Sequence, residues 1–148
     1  LRASASMPFV SRISDINGQK YLDGGICDSI PLKAFQKMGY ERCVVVQTRA
    51  SGYQKKPNKL AWLARFVYHK YPKFAAAVRN RHIMYNNELD FIEKAREKGN
   101  TFVIRPSRNI KISHTEKNKK VLQIVYDLGR EDALRQLNLL RNFLENGE

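Results

Sequence analysis

The sequence contains no apolar run approaching the roughly 18 residues that a membrane-spanning helix needs, because charges interrupt every hydrophobic segment. That excludes a helical membrane anchor within it. Cysteine is scarce: Cys27 and Cys43 fit neither a disulfide framework nor a metal-ligand spacing. Both read as reduced core thiols, which implies a reducing, cytoplasmic compartment. The three histidines, His69, His82 and His114, are dispersed, with no second ligand at helical spacing, so no metal site is expected. Leu1 is not preceded by an initiator methionine or by the basic and apolar pattern of a signal peptide. The chain therefore reads as part of a longer protein, although its 148 residues suffice for a core without staples.

Acid is the other shortage. Lys and Arg number 27 against 14 Asp and Glu, a formal charge of +13, and between Glu41 and Glu88 there is no acid at all. Lys55, Lys56, Lys59, Arg65, Lys70 and Lys73 fall in that interval, interleaved with Tyr53, Trp62, Phe66, Tyr68, Tyr71 and Phe74. Such a surface attracts anions, either the phosphate headgroups of a membrane or a nucleic-acid backbone. The aromatics, at helical spacing, also suit a core. Glu88, Asp90 and Glu93 beyond it are expected to pair with Lys94, Arg96 and Lys98 on a solvated helix face.

The local pattern predicts an α/β chain. Asn17-Gly18 lies between two short runs and reads as a hairpin turn. The second strand ends at Asp23, after which Gly24 and Gly25 permit a sharp exit. Asp28 and Ser29 read as the cap of a short helix that Pro31 opens and Gly39 stops. "RCVVVQT" reads as a strand buried on both faces, completing a strand, helix, strand unit. A polar loop over 51–58 precedes helix from about Lys59, restarted at Pro72 and ended by Gly99. "TFVIRP" is a further short strand, and two amphipathic helices separated at Gly129 close the sequence.

A lone Asp-Gly-Gly is ordinarily a turn. Placed at a strand's end, however, Asp23 would project from a sheet margin, where α/β active sites gather. "RASASMPFV", "YLDGGICDSIPLKAF" and "CVVVQT", taken in order, resemble the later part of the patatin-like phospholipase family, as does "VLQIVYDLGREDALRQL" more loosely. The resemblance implies that residues 1–50 are the C-terminal part of an α/β hydrolase-type sandwich carrying the Asp-Gly-Gly motif. Residues 51–148 would be an appended, mainly helical region with one short strand.

It further implies that Asp23 is the acid of a Ser/Asp dyad, supported by Gly24 and Gly25, that cleaves lipid acyl esters without a cofactor. A carboxylate of ordinary acidity is a weak base at neutral pH, so oxyanion donors, worth about 3 to 4 kcal/mol each, would have to assist it. No glycine-rich oxyanion loop or G-x-S-x-G elbow occurs in the sequence. The expectation is therefore half of an active site, inactive alone, whose partners are the missing N-terminal half of its own chain, a lipid ester and an anionic membrane surface. The competing expectation is a basic nucleic-acid-binding α/β module, for which no recognition signature is present.

Overall fold

The computed structural model describes residues 1–110, 112, 113 and 116–145; His114 lies outside them. In chain order the elements are β1 (Ser14–Ile16), β2 (Gln19–Tyr21), α1 (Leu32–Lys37), β3 (Cys43–Val46), α2 (Ala64–Val67), α3 (Pro72–Glu97), β4 (Thr101–Ile104), α4 (Lys119–Arg135) and α5 (Leu137–Glu145). Two 3-10 turns, Gly24–Ile26 and Ala61–Leu63, complete them. The chain is mixed α/β and divides into two compact units interleaved in sequence, residues 1–31 with 55–91 and residues 32–54 with 92–148.

In the first unit β1 and β2 pair antiparallel, with Ser14 opposite Tyr21 and Ile16 opposite Gln19. The two-residue turn needs positive φ at both central positions; Asn17 at 52° and Gly18 at 77° supply it, and Asp15 Oδ1 accepts the Gly18 N–H at 3.1 Å. The core gathers Ile26, Ala64, Tyr68, Ala75 and Val78, with Ile13, Leu22, Phe74 and Ala77 packed against it. Within it the Tyr68 ring meets Phe74 edge-on at 4.9 Å. The Tyr68 hydroxyl accepts the N–H of Phe9 at 2.9 Å, fixing a residue whose φ is 67°. As the sequence predicts, Pro72 restarts the helix.

In the second unit β3 and β4 pair parallel, with Cys43 opposite Thr101 and Val45 opposite Val103. Gly99, at φ +78°, ends α3 and feeds the chain directly into β4, with the Asn100 N–H on the Ala95 carbonyl at 3.1 Å. Buried apolar side chains here include Leu32, Val45, Ile92, Ala95, Val103 and Leu128.

Several expectations need correction. The described residues carry two separate two-stranded sheets, not a sandwich. In β3 only Val45 is buried, and Val44 and Val46 are exposed, because among the described residues its single strand partner is β4 and no layer covers its other face. Neither cysteine is a core thiol: Cys27 is exposed, and Cys43 is half-buried with its thiol on the Tyr40 carbonyl at 3.3 Å. α4 runs through Gly129 and breaks instead at Gln136, since a helical glycine costs only about 1 kcal/mol and its neighbours favour helix.

Candidate functional site

Asp23 follows β2 and heads the 3-10 turn of Gly24–Ile26. Its N–H donates to the Ser6 carbonyl at 2.9 Å, and its Oδ1 accepts the N–H of Gly25 at 2.8 Å. One carboxylate oxygen is thereby pinned, while Oδ2 has no partner among the described residues. The residue is half-buried. Sequence expects both glycines to serve a bend, but neither has positive φ. A Cβ on Gly24 would meet nothing within 4 Å, so that position does not require glycine. At Gly25 a Cβ would stand 3.2 Å from Asp23 Oδ1. Only Gly25 therefore keeps space clear beside the carboxylate.

Two further residues hold the turn. Arg81, on α3, donates Nε–H to the Gly25 carbonyl at 3.0 Å, and the Ser29 hydroxyl donates to the same oxygen at 2.6 Å. Ser29 is thus bonded back to the turn and does not cap α1 as its position in sequence suggests. Glu88, one of the acids assigned to a solvated face, is buried and accepts the N–H groups of Ser29 at 3.1 Å and Ile30 at 3.2 Å. Burial, reinforced by the Asp28 carboxyl beside it, pushes Glu88 up to about 7 against those two N–H donors. Glu93 does pair with Arg96, and also with Arg105 at 3.0 Å.

Sequence reasoning misses Arg81 and Glu88 as supports of the turn, because their partners lie more than fifty residues away and no local spacing signals them. Two serines are bonded to each other: the buried Ser6 hydroxyl donates to the Arg2 carbonyl at 2.8 Å and shares a hydrogen bond with Ser14 Oγ at 2.9 Å. Among the described residues no group of three His, Cys, Asp or Glu side chains could hold a metal ion.

Of the basic residues, Lys56, Lys59, Arg65, Lys70 and Lys73 are exposed. Lys55 is half-buried: its backbone N–H and carbonyl bond both ends of the Asn86 amide at 2.8 and 3.1 Å, and its ammonium lies over the Tyr85 ring. Tyr68 and Phe74 join the core, whereas Trp62 and Phe66 are 59% and 63% exposed, packed edge to face on each other. His69 is exposed with Nδ1 against the Phe66 carbonyl at 3.1 Å. Among the described residues no helix is long and apolar enough to cross a membrane.

Comparison with known proteins corrects the family suggested by the Asp-Gly-Gly stretch. The chain is similar to the uncharacterized protein YjjU of Escherichia coli (strain K12), 29% identical over 132 residues, which is 88% of this chain and 37% of that protein. It spans little more than a third of that relative's length. No solved structure matches. No patatin-like family accompanies these matches; the family match begins at residue 71, well beyond the motif that carried the resemblance. That match covers residues 71–145, half of the sequence, and the chain belongs to the family described as Domain of unknown function (DUF6363).

Proposed function

We propose that this chain supplies the acid of a serine-type acyl ester hydrolase acting on lipids, with Asp23 as that acid. The nucleophilic hydroxyl and the oxyanion donors would come from residues outside this sequence. The supporting observation is the state of the Asp23 carboxylate: Oδ1 is held by the Gly25 N–H, and Oδ2 is left unpartnered among the described residues at a half-buried position. A carboxylate fixed by one oxygen is an oriented acceptor for an incoming O–H. As the hydroxyl oxygen bonds to the ester carbonyl carbon, its proton passes to Asp23. The proton then leaves with the alcohol, and water releases the acyl group by the same path. Because a carboxylate is a weak base, the reaction also needs donors aimed at the developing oxyanion.

The segment 59–73 fits the same reading as a contact with an anionic lipid surface. Trp62 and Phe66 are exposed on the segment that also carries Lys59, Arg65 and Lys70. Aromatic rings enter the interface while cations meet phosphates.

The test is Asp23→Asn in the intact protein, assayed on a short-chain nitrophenyl ester and on phospholipid vesicles. Asparagine retains an oxygen to accept the Gly25 N–H, so circular dichroism and melting should not change. Hydrolysis should fall by at least about 100-fold, the usual range for a lost general base. A folded variant that hydrolyses both substrates like the wild type would remove Asp23 from the reaction.

A further inference from the structure

The second unit contains a cavity of about 540 Å³ that the Asp23 reading does not use. Its place follows from topology. β3 and β4 are parallel, and Ala50, Ser51 and the residues from Arg105 to Asn109, which follow their carboxyl ends, line it. Ligands of α/β proteins collect beyond the carboxyl ends of parallel strands.

Its chemistry follows from charge. Four arginines line the cavity, Arg96, Arg105, Arg108 and Arg135, against one carboxylate, Asp132. Asp132 is buried and committed, with Oδ2 accepting the Ser107 N–H at 2.8 Å and Oδ1 lying 3.6 Å from Arg135. Arg96 and Arg105 share Glu93, and Arg135 also pairs with Glu131 at 3.3 Å, so three carboxylates face the four arginines. Arg108 is exposed, and among the described residues no carboxylate lies within ion-pair distance of it; it acts on Asp132 only from beyond that distance. The lining therefore holds more positive charge than its carboxylates neutralise, presented by planar guanidinium forks that match phosphate oxygens two at a time.

We propose that this cavity binds a phosphate-bearing anion, with Arg108 as its principal contact. The phosphate could belong to a soluble phosphoester or to a lipid headgroup, and the volume suits a small molecule or headgroup of either kind.

Calorimetric titration of the intact protein at fixed ionic strength tests this. The ligands are glycerol 3-phosphate, inorganic phosphate and vesicles of phosphatidylcholine with and without phosphatidic acid; acetate serves as the monoanion control. Saturable binding of a phosphate ligand should weaken about tenfold in Arg108→Gln, the scale of one lost charge-assisted contact. Arg108→Lys should retain part of the affinity. Arg130→Gln, which removes an exposed charge outside the cavity, should bind like the wild type. Preference for glycerol 3-phosphate would identify a soluble source and preference for phosphatidate vesicles a lipid one; either upholds the site. Absence of saturable binding, acetate binding equal to phosphate, or equal losses in the Arg108 and Arg130 variants would overturn it. Loss of hydrolysis in Asp23→Asn bears on a different group, so the two proposals fail separately.

Discussion

Glu88, in the first unit, and Asp132, in the second, are both buried carboxylates that accept backbone N–H groups from a distant stretch of chain. Glu88 receives two such donors and Asp132 one, yet the two titrate in opposite directions. Glu88 is pushed up to about 7, first by burial and then by Asp28. Asp132 is held below the usual carboxylate range, first by the Ser107 N–H and further by Arg135 and Arg108. The contrast teaches that the number of backbone donors does not settle a buried acid's charge: at Glu88 burial, aided by Asp28, outweighs two of them, whereas at Asp132 the Ser107 N–H, aided by Arg135 and Arg108, outweighs burial. One unit has placed two acids together, and the other has placed an acid among arginines.

That contrast can be broken at either end. Asp132→Ala should have the larger effect, because it leaves the Ser107 N–H and the neighbouring guanidinium groups without their carboxylate. A loss of about 2 kcal/mol at neutral pH is expected in urea unfolding, within the range for a removed charged hydrogen-bond partner. Since the folded state lowers the Asp132 pKa, its contribution is present above the unfolded value near 3.8 and disappears as pH falls through the lower folded value. The difference between wild type and variant should therefore shrink in acid. A difference unchanged down to pH 2.5 would mean that the carboxylate charge is irrelevant there.

Glu88→Gln should have the smaller effect and the opposite pH dependence. Between about 4.5 and about 7 the folded protein keeps a proton on Glu88 that the unfolded chain has released, so stability falls as pH rises through that window. Relative to the glutamine variant, the wild type should lose about 1 kcal/mol between pH 4.5 and 8, allowing for partial solvent screening. Parallel melting curves for the two proteins across that range would show that Glu88 does not titrate as its surroundings require.

Much of the fold was legible because its signals are local. Asn17-Gly18 set the hairpin, Pro72 the start of α3, and Gly39 and Gly99 the helix stops, each through the dihedral angles one residue can adopt. The candidate site was legible only in its centre. Asp23 is marked by its glycines, but Arg81 reaches the turn from α3, and nothing in its neighbours shows which carbonyl it will find. Glu88 was misassigned for a related reason: helix spacing pairs an acid with cations on its own helix, while its partners are the N–H groups of Ser29 and Ile30. The arginine cavity was invisible because its members come from the end of α3, the loop after β4 and α4. The family suggested by the motif is wrong because a few residues around Asp-Gly-Gly carry the resemblance, whereas the match to the family of unknown function lies over residues 71–145.

The most direct test of Asp23 as one half of a hydrolase centre is covalent labelling. The intact protein and its Asp23→Asn variant would be treated with a fluorophosphonate, the adduct followed by mass spectrometry and the modified residue mapped. A single serine adduct outside the present 148 residues, formed far more slowly in the variant, is the expected result. Equal labelling rates in the two proteins, or an adduct mapped to a serine of this sequence such as Ser6 or Ser29, would contradict it.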